Sequence, residues 1–203
     1  MLKVESLETE LIGPVTFAIE PGECVGLVGP SGAGKSLLLR AIADLDPNRG
    51  RVSLGDWSRE AMPASAWRKT VALIPAESGW WADLVRDHFP SAGNVARWLD
   101  AVGLPDALDW HVARLSTGER QRLAIARALA HEPCALLLDE PTASLDEAAT
   151  MRIEALLRDY CAQNKPVLIV SHDERQIRRM ASRRMVVAGG KIERIEQIRS
   201  PSA

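Results

Sequence analysis

The residues with the clearest chemical purpose are Gly29-Pro30-Ser31-Gly32-Ala33-Gly34-Lys35-Ser36. They fit G-x-x-x-x-G-K-[ST], a spacing in which a curled backbone points several N–H groups at phosphate oxygens. A helix starting at the end of such a loop adds partial positive charge. Lys35 is then placed to reach β- and γ-phosphates, and the Ser36 hydroxyl to ligate Mg²⁺. A second constellation follows the apolar run Ala135-Leu136-Leu137-Leu138, which ends in Asp139-Glu140. Asp139 can hold Mg²⁺ directly or through water. Glu140 can accept a proton from a water attacking a γ-phosphate. His172 ends another apolar run, Val167–Val170. Strand ends of an open α/β sheet line its ligand crevice, which favours a γ-phosphate contact for this histidine. Together these residues imply a nucleoside triphosphate with Mg²⁺, and leave open what its energy is used for.

These side chains need elements to hold them. Cys24–Val28 reads as a buried strand before the phosphate loop, and Leu37–Ala43 as a helix after it. The alternation in Val15–Ile19 predicts a half-exposed strand, and Arg51–Gly55 another, joined in a small antiparallel sheet near the N-terminus. Val71–Ile74 is a buried strand stopped by Pro75. Residues 78–114 carry Trp80, Trp81, Trp98 and Trp110 around a helix over Asn94–Val102, and read as an inserted helical lobe. The tryptophans suit lobe packing, with Trp80 and Trp81 the pair to face a partner. Ser116 and Glu119 form an S-x-x-E capping box for a helix running to about His131. A helix over Glu147–Tyr160 puts Ala149, Ile153, Leu156, Leu157 and Tyr160 on one face. Arg175, Arg178, Arg179, Arg183 and Arg184 read as a solvated helix face. Met185–Val187, Gly189-Gly190 and Lys191-Ile192 read as a closing hairpin. The expected fold class is α/β, a mostly parallel core sheet with flanking helices. We expect one domain over 1–203, with a β-subdomain and phosphate-loop core (1–77), a helical subdomain (about 78–130) and a second core part (131–203).

The chain has 203 residues, 46% of them hydrophobic, enough for a substantial core. Its formal charge of −2 gives no reason to expect a nucleic-acid surface. Cys24, Cys134 and Cys161 lack metal-ligand spacing and sit in or beside apolar runs, as buried free thiols of a reducing cytosol would. No signal pattern appears at the N-terminus, and no run approaches the roughly 20 apolar residues of a membrane helix. A soluble chain is expected, so any membrane role requires a partner.

Leu115-Ser116-Thr117-Gly118-Glu119 resembles the signature of the ATP-binding-cassette (ABC) family, usually L-S-G-G-Q, and Arg120-Gln121-Arg122 continues it. Leu136–Thr142 resembles the family's Walker B segment, Ser144-Leu145-Asp146 its D-loop and His172 its switch histidine. The motifs occur in the family's order over nearly the whole chain, and P-loop kinases lack the signature. The segments after Val71 and around His172 are similar to small ATPase subunits of metal-export systems. The resemblance implies a P-loop ABC fold and a head-to-tail pair of cassettes, either identical or not. Each phosphate loop then faces the other copy's Ser116, Thr117, Gly118 and Glu119, with ATP and Mg²⁺ between them. Glu140 activates water and His172 orients the γ-phosphate. The implied role is the ATPase subunit of a transporter, driving a separate membrane permease docked near the helical lobe on the cytoplasmic face.

Two positions depart from the family pattern. Its Q-loop glutamine falls on Ala76, followed by Glu77; alanine can neither ligate Mg²⁺ nor hold a water, so either Glu77 substitutes in part or turnover is slow. No aromatic occurs in the first 16 residues to stack on adenine. Base stacking is worth roughly 1–3 kcal/mol in nucleic-acid systems, so affinity would fall about 5- to 150-fold, with weak base selectivity. Two other functions compete: a soluble ABC ATPase with a non-transport partner, and a low-turnover ATP-gated regulatory module.

Overall fold

A computed structural model describes residues 1–91 and 94–198 of the chain. The strands, in chain order, are β1 (Leu2–Glu8), β2 (Val15–Ile19), β3 (Cys24–Val28), β4 (Arg49–Leu54), β5 (Trp57–Ser58), β6 (Val71–Ile74), β7 (Ala135–Asp139), β8 (Val167–Val170), β9 (Arg183–Ala188) and β10 (Lys191–Gln197). The helices are α1 (Lys35–Ile42), α2 (Ala64–Thr70), α3 (Val95–Ala101), α4 (Thr117–Ala130), α5 (Glu147–Cys161) and α6 (Glu174–Met180).

Two sheets result. The smaller is antiparallel, in the order β2-β1-β4-β5. Its strands alternate buried and exposed residues, as a sheet with one covered face must. The larger runs β10-β9-β3-β8-β7-β6, parallel from β9 to β6, with β10 added antiparallel at the edge. Its central strands are covered on both faces, which explains their unbroken apolar runs. Leu137, Leu168 and Val170 face a cluster shared with α1, Trp67 and the smaller sheet. Leu136, Leu138 and Ile169 face a second cluster with α4, α5 and the segment between β6 and α4. Each fully buried aliphatic side chain here contributes roughly 1.5–3 kcal/mol.

Because β3, β8 and β7 are parallel and adjacent, their C-terminal ends open at one edge. Leu27 pairs in register with Val170, and Val170 with Asp139. The phosphate loop, the carboxylate pair and His172 therefore leave the sheet side by side.

Several expectations needed correction. Helix α1 begins at Lys35, two residues before the apolar pattern does. The arginine cluster is not one helix face: α6 ends at Met180, and Arg183 and Arg184 lie on β9. Arg183 grips Glu23 through Nε at 2.7 Å and Nη2 at 2.9 Å, while Arg184 pairs with Glu174 and Glu196. Arg179 holds the fully buried Glu154. Of the three free cysteines only Cys24 is fully buried; Cys134 and Cys161 are half-buried. Trp80, Trp98 and Trp110 pack on the second cluster, whereas Trp81 is 72% exposed. Among the described residues no helix is long and apolar enough to cross a membrane.

Candidate functional site

The phosphate loop is fixed by contacts distant in sequence. Gly29 has φ +151°, and a Cβ there would lie 2.1 Å from the Val187 carbonyl oxygen of β9, so only glycine fits. Gly34 (φ +100°) caps α1 without a side-chain acceptor, and the first turn of α1 holds no acidic residue. The leading N–H groups of α1 are thus left for an external anion. The ammonium of Lys35, buried to 6% exposure, donates to the carbonyls of Gly29 (2.8 Å) and Pro30 (2.9 Å). It has three N–H bonds, so one remains for a ligand. Ala33 is buried and pinned to the closing hairpin, its carbonyl accepting from the Gly190 N–H. Pro30 and Ser31 are exposed.

These residues open onto a cavity of about 260 Å³. Ser31, Gly32, Gly34, Lys35 and Ser36 form one wall; Ala76, Asp139, Glu140 and His172 close it from the other strands. Asp139 is 8% exposed. Glu140, immediately after it, adopts φ +49°, an uncommon conformation for a residue with a side chain. Its Oε2 accepts from the His172 backbone N–H at 3.3 Å, and Oε1 lies 3.4 Å from His172 Nε2. Burial pushes the Glu140 carboxyl above its ordinary value, against the lowering effect of His172. A carboxylate that holds a proton more readily is better suited to accept one from water.

Two predicted positions behave unequally. Ala76 lines the cavity, while Glu77 is exposed and outside its wall. The remaining motif residues lie elsewhere. Ser116, Thr117, Gly118 and Glu119 begin α4, with the capping box formed. A Cβ on Gly118 would meet the Ser144 carbonyl oxygen at 2.9 Å and Leu145 Cδ2 at 3.4 Å, so the start of α4 sits directly on the Ser144–Asp146 turn. Asp146 caps α5 by accepting from the Ala149 N–H at 2.8 Å.

Sequence reading missed three features. Leu11 stands 71% exposed beside the phosphate loop: its carbonyl closes on Gly190, and neighbouring Ile12 packs against Gly34. The Glu154 carboxylate, at 0% exposure, accepts from Arg179 at 2.8 and 2.6 Å and is flanked by Gln176, which donates to Thr142. His88 accepts from the Trp81 and Ala82 N–H groups through Nε2, so its Nδ1 donates to the Leu84 carbonyl. Both Trp80 and Trp81 contact this ring, and Arg127 lies over both indoles. Leu11 and Glu154 had no local signal, because their partners lie in separately placed segments; His88 is held by Trp81, Ala82 and Leu84 of its own segment, and only Arg127 is remote.

The family model described as ABC transporter matches residues 12–143. The chain belongs to the ABC transporter family. As a cassette of that family it binds ATP and hydrolyses it. It is 34% identical over 209 residues to the phosphate import ATP-binding protein PstB 2 of Natronomonas pharaonis, covering 91% of this chain and 74% of that one. It is 39% identical over 186 residues to the phosphonates import ATP-binding protein PhnC of Chromohalobacter salexigens, covering 78% and 68%. Both names are of import systems, and neither carries the similarity to metal-export subunits seen in two segments. The cassette superposes with a TM-score of 0.85 and 26% identity on MJ0796, an ATP-binding cassette in a dimeric post-hydrolysis state bound to ADP and Pi; the match covers 98% of this chain and 99% of that one.

Proposed function

We propose that this cassette is the energy-coupling subunit of a transporter. It pairs head to tail with a second cassette, closes on ATP, and drives solute through a separate membrane permease from the cytoplasmic side. One observation carries the coupling. Residues Pro75–Ser78 run between two openings: Ala76 lines the phosphate cavity, while Pro75 and Ser78 line an apolar groove of about 480 Å³ on the other side. That groove also takes in Leu73, Phe89, Ala128 and the exposed Trp81, with Arg68, Lys69, Arg127 and His131 around it. A short segment touching both a nucleotide and a docked partner can relay differential contacts between them.

In the site, Lys35 transfers hydrogen bonds from the Gly29 and Pro30 carbonyls to the β- and γ-phosphates, and the N-terminus of α1 receives the phosphate charge. Glu140 accepts the proton of the attacking water, and His172 orients the γ-phosphate. Ser36 and Asp139 line one cavity and offer hard oxygen donors, a set that fits Mg²⁺ shared with phosphates. Among the described residues no three His, Cys, Asp or Glu are grouped to cage an ion alone. When bound, Mg²⁺ would supply charge neutralisation of the phosphate oxygens. Thr117 and Gly118 of the partner cassette, with its Ser116, complete the γ-phosphate shell.

The lining position of Ala76 also favours a second reading, a cassette that closes on ATP with little turnover. One experiment addresses both. With Mg-ATP, Glu140→Gln should form a stable dimer by light scattering, with hydrolysis reduced by 10²-fold or more. The wild type should co-purify from membranes with a polytopic chain. A protein that never dimerises removes the head-to-tail pair, and one that dimerises without a membrane partner favours the regulatory module.

A further inference from the structure

We propose that Glu119 is a positioning residue that withholds the start of α4 from a partner's triphosphate, so that closure of the pair must first displace its carboxylate. The inference rests on the head-to-tail reading and deepens it.

The argument begins with a count of donors. The Ser116 hydroxyl has a single hydrogen, which it donates to Glu119 Oε2 at 2.9 Å. The Ser116 backbone N–H donates to the same oxygen at 2.8 Å, and the Glu119 N–H is spent on Ser116 Oγ at 3.2 Å. Three of the donors that a γ-phosphate could use at this helix start are therefore committed within the chain. The N-terminus of α1 is the opposite case, with neither a side-chain cap nor an acidic residue in its first turn. The chain thus leaves one helix start open to phosphate and fills the other with its own anion.

Charge strengthens the contrast. The backbone N–H of Ser116 holds the Glu119 carboxyl below its ordinary value, helped by the serine hydroxyl and by Arg122 and Arg114. The group is ionised at neutral pH. An incoming γ-phosphate meets a negative charge where the helix would otherwise present a partial positive one. Arg120, next to Glu119, is turned away, donating to the Val112 carbonyl. Glutamine at this position would keep a carbonyl oxygen for the Ser116 N–H, and so the cap, while removing the charge.

The test uses the full chain carrying Glu140→Gln, with Glu119 intact, Glu119→Gln or Glu119→Ala. The monomer–dimer constant with Mg-ATP is measured by sedimentation at low and high salt. Glu119→Gln should tighten the dimer about tenfold at low salt. The gain should shrink several-fold near 0.5 M salt, where charge effects are screened within a few ångströms. Glu119→Ala should also relieve the repulsion but lose the reciprocal half of the capping box, lowering the midpoint of chemical denaturation. Equal or weaker dimerisation of Glu119→Gln overturns the proposal, as does a gain independent of salt. If no form dimerises with Mg-ATP, the head-to-tail reading falls and this inference with it. Dimers of equal strength in all three forms sink the inference alone.

Discussion

Ala76 faces the phosphate cavity with only a methyl group to offer. Glu77 is exposed and is not among the residues that line the cavity. A glutamine could place an amide oxygen against water or the metal shell. Ala76→Gln should therefore raise steady-state ATP hydrolysis roughly 10-fold, less than the 10²–10⁴ a general base supplies. An unchanged rate would mean that position 76 costs the cassette nothing. Leu11 poses a second question of this kind. It stands exposed where the loop between β1 and β2 stacks on the phosphate loop, and it presents aliphatic surface without hydrogen-bonding groups. Such surface discriminates poorly between bases. Competition binding should give ATP and GTP affinities within about threefold of each other; a preference for ATP beyond about tenfold would refute this. The phosphate loop, Asp139-Glu140 and His172 were legible because each is a contiguous motif at the end of an apolar run. Leu11 was not, since its place depends on Gly190, far along the chain.

At the scale of elements, apolar runs and caps were good guides. The continuous runs of β7 and β8 signalled burial on both faces, and S-x-x-E gave the start of α4. The arginine cluster misled because its spacing suits a helix, while the residues that decide it are remote. Glu23, at the turn before β3, accepts from Arg183 on β9 and from Ser182. Arg183 also donates to the Ala18 carbonyl of β2, so one guanidinium ties three strands together. Burial alone would raise the Glu23 carboxyl, but these hydrogen bonds prevail and hold it below its ordinary value. A depressed carboxylate stabilises the fold above its unfolded pKa, and that contribution is lost as pH falls through the depressed value. Glu23→Gln should therefore cost about 1–3 kcal/mol in urea unfolding at pH 7. The difference from wild type should close as pH drops below the ordinary carboxylate range. A penalty of the same size at every pH would assign the effect to packing rather than charge.

At the scale of the molecule, the parallel sheet separates two tasks. One edge collects the phosphate-handling groups, and the segment after β6 carries that edge toward the apolar groove. Basic residues around the groove stand out on a chain whose formal charge is −2. They suit a partner segment with an apolar face and an acidic residue. Trp81, 72% exposed, is the largest apolar surface there. Trp81→Glu should abolish co-purification with the membrane partner while leaving the thermal midpoint within a few degrees, as expected for a surface change. Retained association would move the docking surface elsewhere. This division was only partly legible: four tryptophans announced a lobe, but a groove is a property of two surfaces meeting.

The contact between Gly118 and the Ser144 carbonyl has a further consequence. In the head-to-tail pair proposed above, the turn that leaves one cassette's own carboxylate strand would be the floor on which its phosphate clasp for the opposite cassette rests. On that proposal, a shift of the turn on loss of a phosphate would reach the clasp directly through this contact, so that each site's release would loosen the grip on its neighbour.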